Sequence, residues 1–460
     1  MSDRIRKTCA PGFLRAGSAA AMVAACLFHV APVMAQAVDD DAASSDDDRI
    51  IVTGSRIAGV APVGATVTAL GREEIETGGQ VTLDKMIQEL PAVLDLGFSD
   101  NSRAQSGGNG NATLANSINL RGLGPFSTLI ISDGHRMTTN GRAISPSVLP
   151  TLGVERVEVI ADGASAIYGS DAVAGVVNLI PRRNLDGVEA FGRVGASEDG
   201  AFWEWSAGVA AGMQFERGQV MVAYEHAFRS NLLASDRAFA TTDLRSQRGP
   251  NYSVNQCSPG TLVYGGKTYA LPDQFSAANA GSLVAGTQNL CDNFASQDIF
   301  PEQEYNSVNS TANYELIDGV EFTFDGYYSR RTFSRSPGSI NRTFRVPETN
   351  AFFVRPSFYV NGSGGYDIAY AFDRDISPDN YTGFQTNWQV TPGVEIDLWG
   401  DWNFAARYGY GEAVDRADST AGIDVAAFNA AIASNNPANA FDPYGLGRTS
   451  AATLAGMFDA

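Results

Sequence analysis

Long stretches of strict two-residue alternation most constrain how this chain can fold. Residues 320–328 alternate Val320, Phe322, Phe324, Gly326 and Tyr328 with Glu321, Thr323, Asp325 and Tyr327. Residues 402–410 set Trp402, Phe404, Ala406, Tyr408 and Tyr410 against Asn403, Ala405, Arg407 and Gly409. Residues 308–316 oppose Val308, Ala312, Tyr314 and Leu316 to Asn309, Thr311, Asn313 and Glu315. Residues 202–215 carry Trp203, Trp205, Val209, Met213 and Phe215 on one face. A period of two sends neighbouring side chains to opposite faces of a sheet. A soluble β-sandwich would use strands of about six residues. Longer dyads, apolar on one face and polar on the other, fit a transmembrane β-barrel wall better.

Composition agrees with that wall and excludes other classes. Mean hydropathy is −0.11, and beyond the N-terminus no apolar run is long enough for a spanning helix. The formal net charge of −19 opposes a nucleic-acid-coating role, which needs a surplus of Lys and Arg. All five Trp and 15 of the 16 Tyr lie in residues 188–460, as strands and interfacial girdles require.

Residues 1–35 read as a secretory signal. Arg4, Arg6, Lys7 and Arg15 precede an Ala-rich apolar stretch, and Val33-Met34-Ala35 forms a small-residue cleavage site. Export leaves Cys257 and Cys291 as the mature cysteines. An oxidising compartment favours a disulfide between them. The competing metal reading needs more Cys or His nearby, and the mature chain has only His135 and His226.

Residues 36–60 form an acidic leash, with Asp39-Asp40-Asp41 and Asp46-Asp47-Asp48 around a short β-prone string. Residues 61–187 read as a mixed α/β unit. Ile75, Leu83, Met86, Ile87 and Leu90 predict a helix within residues 73–90, the last four at helical spacing, ended by Pro91. Strands are expected at 128–132, 154–160 and 176–180, and a long exposed loop at 99–119.

In residues 188–460, wall strands are expected near 188–197, 202–215, 218–230, 304–317, 320–334, 381–398 and 402–416. Short turns at Glu216-Arg217-Gly218, Asp318-Gly319 and Gly400-Asp401 alternate with long polar segments at 231–303, 335–380 and beyond 416. Short turns mark the periplasmic side of such a wall and long loops the outer side. A hairpin is expected to overhang at 366–376.

No motif points to catalysis. Gly265-Gly266-Lys267-Thr268 ends like a phosphate loop, but Thr261 stands where the first glycine is needed, so it reads as a hairpin turn. Gly122-Leu123-Gly124 lacks the third glycine of a dinucleotide fingerprint. Two scattered histidines form no dyad, and no cofactor or metal set is indicated.

Four segments together carry a resemblance. Ile50-Ile51-Val52-Thr53-Gly54-Ser55-Arg56 resembles a TonB box. Residues 83–93, Leu-Asp-Lys-Met-Ile-Gln-Glu-Leu-Pro-Ala-Val, resemble the first plug segment of TonB-dependent outer-membrane receptors. Residues 118–137, which include Arg121-Gly122-Leu123-Gly124 and Leu129-Ile130-Ile131-Ser132-Asp133-Gly134, are similar to the central plug segment. Residues 154–183, with Glu155-Arg156-Val157-Glu158-Val159 and Ala174-Gly175-Val176-Val177-Asn178, are similar to its last segment.

The resemblance implies a mixed α/β plug domain followed by an incomplete antiparallel transmembrane β-barrel, about 7 of some 22 strands. It also implies that the sequence is the N-terminal portion of a truncated receptor. The implied activity is import of a scarce, bulky ligand, such as a siderophore-iron complex or an oligosaccharide, across a Gram-negative outer membrane. The implied partners are the TonB C-terminal domain, outer-membrane lipid and that ligand. Ile50, Ile51, Val52 and Thr53 would add a strand to TonB. Asn101, Arg103, Gln105, Asn109 and Asn111 would face the ligand from an apical plug loop. Arg121, Glu155, Arg156 and Glu158 would serve plug–barrel contact. The competing readings are a non-functional truncated receptor and a soluble periplasmic plug-like binding module. Its open, Trp-rich sheet would aggregate in water.

Overall fold

The structure is a computed structural model, and it describes residues 67–94, 113–139, 144–162, 164–336, 338–376, 381–400, 402–419 and 422–458. A central unit comes first. It contains β1 (Val67–Leu70), α1 (Arg72–Thr77), α2 (Leu83–Gln88), β2 (Thr128–Ser132), β3 (His135–Arg136), β4 (Val154–Ile160), α3 (Ser165–Tyr168) and β5 (Gly175–Pro181). Its sheet runs β1-β4-β5-β2-β3, with β2 and β5 parallel and the other pairs antiparallel. Both faces are covered, which is why β2 and β5 read as continuous apolar runs. Ile130, Val177 and Leu179 pack with Ile75, Leu83, Met86 and Ile87 of the helices. Leu129, Ile131 and Val176 pack on the other face with Tyr168 of α3.

The single helix expected within residues 73–90 is two short ones. Gly78 caps α1, its N–H donating to the Glu74 carbonyl, and Gly79 follows. Two consecutive glycines withdraw helix propensity at that point. The apolar spacing still brings Ile75 and Leu83 into one core.

The wall begins with β6 (Gly187–Ala196), β7 (Trp203–Phe215) and β8 (Gly218–Arg229). Next come β9 (Leu232–Leu233), β10 (Thr261–Tyr264), β11 (Lys267–Ala270) and β12 (Asp298–Phe300), inside the long connection to β13 (Glu302–Ile317). After β14 (Val320–Arg335), the second long connection holds β15 (Asn341–Val346) and β16 (Tyr366–Ala371). The wall then resumes with β17 (Tyr381–Asp397), β18 (Asn403–Arg407) and β19 (Tyr410–Ser419).

Wall strands run β6-β7-β8-β13-β14-β17, with β18 and β19 both on β17 and every pair antiparallel. Arg407 opposes Gly393 and Tyr410 opposes Val390, so β18 and β19 are one strand in one register. Its interruption at Tyr408 and Gly409 faces Pro392, which has no N–H for the ladder. The wall is thus seven strands, as the alternation led one to expect, and among the described residues it is not closed.

Its two faces are inverted relative to a soluble sheet. Val194, Val209, Met213, Val222, Tyr328, Val390 and Phe404 are exposed on the outside. Ser206, Gln219, Asn309, Thr311, Ser329, Asn387 and Gln389 are buried on the inside.

The long connections are more than loops. With α4 (Val425–Ala433) and α5 (Ala451–Phe458) they build a lobe around a sheet of order β11-β10-β16-β15. Its core is aromatic, with Tyr269, Phe275, Phe344, Tyr366, Tyr370, Phe372, Phe428, Phe441 and Tyr444. The hairpin expected at 366–376 does not form, because β16 pairs with the distant β15 and β10. Gly265 and Gly266, both left-handed, do make the β10–β11 turn. Cys257 and Cys291 are disulfide-bonded within this lobe, their Cα atoms 5.7 Å apart.

Candidate functional site

The polar inner face of the wall meets the central unit along a seam, and the seam is built from anchors. The strongest is a clasp on the β2–β3 turn. Asp133 and Gly134 both adopt left-handed conformations there (φ 48° and 77°) and push the Asp133 carboxylate outward. Arg407 of β18 donates to it at 2.9 Å, and Arg183, between β5 and β6, lies 3.1 Å away. Arg183 also holds Asp325 of β14 at 2.6 Å, and Arg407 holds Glu395 of β17 at 2.8 Å. Charges of opposite sign therefore alternate around a partly buried ring, and removing one member would leave its partners buried and uncompensated.

Burial would raise the Asp133 carboxyl, but Arg183 and Arg407 outweigh it and hold it below the ordinary carboxylate range. His135 stands beside it, its Nε2 2.9 Å from Arg407 Nη1. A guanidinium only donates, so Nε2 accepts and the ring is neutral. Burial and the Arg407 charge push the imidazole below its usual value, which agrees.

Three further anchors use single side chains. Glu225 of β8, buried, accepts from both the backbone N–H and the hydroxyl of Thr151 at 2.6 Å. Gln389 of β17 accepts from the Thr138 N–H at 2.7 Å and its hydroxyl at 2.8 Å. Arg193 of β6 donates to the carbonyls of Ile75, Glu76 and Gln80 at 2.8–3.0 Å. Those of Ile75 and Glu76 belong to the last turn of α1, where carbonyls lack helical partners and a cation is favoured. Around these points the seam is polar. Asn309 Nδ2 donates to the Gly153 carbonyl, and the Thr311 hydroxyl to that of Arg182.

The residues expected from the sequence fall as follows. Ile50, Ile51, Val52 and Thr53 lie outside the described residues, as do Asn101, Arg103, Gln105, Asn109 and Asn111. Arg121 is left-handed (φ 55°) and its side chain returns to the central unit, to the Val173 carbonyl at 3.2 Å and Asp162 at 3.9 Å. Arg156 pairs with Glu158 on its own strand at 2.8 Å. Glu155 leads toward the wall through Arg182, which lies 3.9 Å away and binds Glu189 of β6 at 2.6 Å.

The anchors themselves went unnamed in the sequence. Their signal was present, since Asp325 and Arg407 sit in the polar phase of the alternation. Which plug residue each would meet depends on the fold.

Comparison with known proteins bears on this arrangement. The profile described as the TonB-dependent Receptor Plug Domain matches residues 60–176. A stretch of 151 residues is 31% identical to the vitamin B12 transporter BtuB of Vibrio vulnificus, covering 33% of this chain and 23% of that protein. Another, of 128 residues, is 31% identical to the iron-regulated outer membrane virulence protein of Vibrio cholerae, covering 26% and 18%. A mutant form of the ferric enterobactin receptor of Pseudomonas aeruginosa shares 15% identity, over 75% of this chain and 48% of that one, at a TM-score of 0.43. The matches thus span less than a quarter of these curated relatives and about half of the solved chain. The family is one of receptors and transporters, not of enzymes. Residues 60–176 are thus similar to the plug domain of the TonB-dependent receptors.

Proposed function

We propose that the chain supplies the plug and part of the barrel wall of an outer-membrane importer for a scarce, bulky ligand, such as a siderophore-iron complex or an oligosaccharide. One observation carries this reading: the wall is apolar outside and polar inside, and a folded plug sits against the polar face. Along β14, Val320 to Tyr328 spans roughly 27 Å of strand, or about 20 Å once tilted, close to the apolar band of a barrel. Outward residues Tyr224, Val308, Tyr328 and Trp388 form one cross-strand row. The next outward row is polar, with His226, Asn306, Arg330 and Thr386. At the opposite end, Trp399 and Trp402 are 75% and 71% exposed beside the short turn, as interfacial anchors would be. A soluble periplasmic binding module would leave this belt in water.

In this reading residues 1–35 export the chain, and the acidic leash presents Ile50, Ile51, Val52 and Thr53 to the TonB C-terminal domain as an added strand. Inner-membrane energy is then delivered by pulling on the leash. Asn101, Arg103, Gln105, Asn109 and Asn111 face the ligand from the plug apex, and Arg121, Glu155, Arg156 and Glu158 serve plug–barrel contact. The relatives' names include vitamin B12 and ferric enterobactin, so the plug does not name the ligand. A synthetic peptide of residues 46–58, titrated into the TonB C-terminal domain by calorimetry, should bind saturably. The same peptide with Val52→Pro, which removes a ladder donor, should lose most of that affinity. Equal binding of both peptides, or of neither, would refute the TonB-box assignment.

A further inference from the structure

The wall grips the plug once more, at a point of backbone strain. Leu114 is left-handed (φ 51°), although it is neither glycine nor asparagine and is 1% exposed. Its carbonyl accepts from Gln303 Nε2 at 3.1 Å and from Arg331 Nη1 at 3.0 Å. The carbonyl of Thr113 accepts from Arg331 Nη2 at 2.5 Å. Gln303 and Arg331 lie on neighbouring wall strands and are both almost wholly buried. Two residues further on, the chain is tied the other way, because Asn116 Nδ2 donates to the buried carboxylate of Asp84 at 2.5 Å. Ser147 also donates to that carboxylate.

Arg331 is an unusual anchor. Among the described residues it has no carboxylate partner, and its Nε has no acceptor. Its charge rests on two backbone carbonyls and on the rings of Tyr305 and Phe333, with centroids 5.9 and 5.6 Å away. A buried guanidinium satisfied by carbonyls of a neighbouring segment binds that segment in one conformation only. If the segment relaxes, both carbonyls leave together.

We propose that Arg331, supported by Gln303, is a positioning residue that latches the strained backbone of Leu114 to the wall. Residues 113–116 are then a two-state element strung between the wall and the plug core. With the latch closed, Leu114 stays left-handed and Thr113 and Leu114 move with the wall. With it open, Leu114 relaxes and the segment moves with Asp84 and α2. Any displacement of plug against wall must open it, which makes it a defined breaking point in the seam. The latch is a property of the folded chain and does not depend on the import reading.

Hydrogen exchange on the full chain in detergent micelles tests it, using peptides that cover residues 113–120. Arg331→Met should accelerate exchange there at least tenfold, while peptides of β2 and β5 keep their protection. Arg331→Lys, which keeps the charge but cannot span both carbonyls, should show a smaller acceleration. Leu114→Gly removes the strain, so in that background Arg331→Met should add less than a threefold effect. Unchanged exchange in Arg331→Met would overturn the proposal. So would acceleration spread equally over β2 and β5, which marks ordinary destabilisation. Additive effects of Arg331→Met and Leu114→Gly would also overturn it, because they separate the guanidinium from the strain.

Discussion

His135 shows how much of the seam is decided by single protons. Its Nε2 accepts from Arg407, so a proton placed there would set two cations against each other. The folded imidazole is held below its unfolded value of 6.5, and the folded state binds fewer protons. Stability from this contact is present above that value and is lost as pH falls through the range below it. Asp133 is also depressed, so its contribution disappears at lower pH, as its carboxylate takes up a proton. The clasp should therefore loosen in two stages on acidification. Exchange of the 133–136 amides, corrected for intrinsic rates, should rise first below the imidazole range. His135→Gln, which keeps an acceptor for Arg407, should remove that first stage alone. Asp133→Asn should cost about 2 kcal/mol at neutral pH, as loss of a charge-assisted pair does, read from the unfolding midpoint.

The lobe has the opposite titration. Burial pushes the Asp375 carboxyl up to about 6, although the Tyr370 hydroxyl donates to it at 2.6 Å. Here the folded state binds more protons, so stability falls as pH rises from about 4 to 6. Asp375→Asn should remove that fall in the lobe's melting temperature between about pH 4 and 6. An unchanged pH profile would show that Asp375 ionises freely.

At the scale of elements, legibility followed the range of the interaction. The wall strands were readable because alternation is local and each strand is long. Val320 to Tyr328 declares its two faces without knowledge of a partner. β2 and β5 were readable as apolar runs. The break between α1 and α2 turned on Gly78 and Gly79, a local signal that the spacing of Ile75, Leu83, Met86 and Ile87 masked. β16 was misread because Tyr366–Ala371 finds its partners in Asn341–Val346 and Thr261–Tyr264, and no local pattern specifies those. The anchors were half visible: Arg407 declares a polar phase, but only the fold gives it Asp133. Gly175 joins local and distant constraints. Its φ of 140° is a conformation that side chains rarely adopt, and an added Cβ would lie 2.1 Å from the Ile160 carbonyl oxygen. Gly175→Ala should therefore destabilise the plug by about 2 kcal/mol or more, measured as a drop in the denaturant midpoint.

For the molecule as a whole, one inversion organises the rest. A sheet with Val222 and Val390 outside and Thr311 and Gln389 inside is stable only if lipid meets one face and a polar body the other. The plug is that polar body's source of anchors, and its own core is closed on both faces of its sheet. The charged clasps, the polar inner wall and the Trp residues at the short turn all follow from that arrangement. Val222→Arg should accordingly cost about 2–4 kcal/mol in a bilayer if the site lies near its midplane, measured by urea titration in vesicles.

The most direct measurement uses nitroxide labels at Val222, Val390 and Thr311, introduced singly as cysteines in the chain held in outer-membrane vesicles. Labels at Val222 and Val390 should relax strongly with oxygen and weakly with a water-soluble nickel chelate, as lipid-facing sites do. The label at Thr311 should be shielded from both by the plug. Nickel access at Val222 and Val390 equal to that of an exposed loop site would contradict a lipid-facing wall.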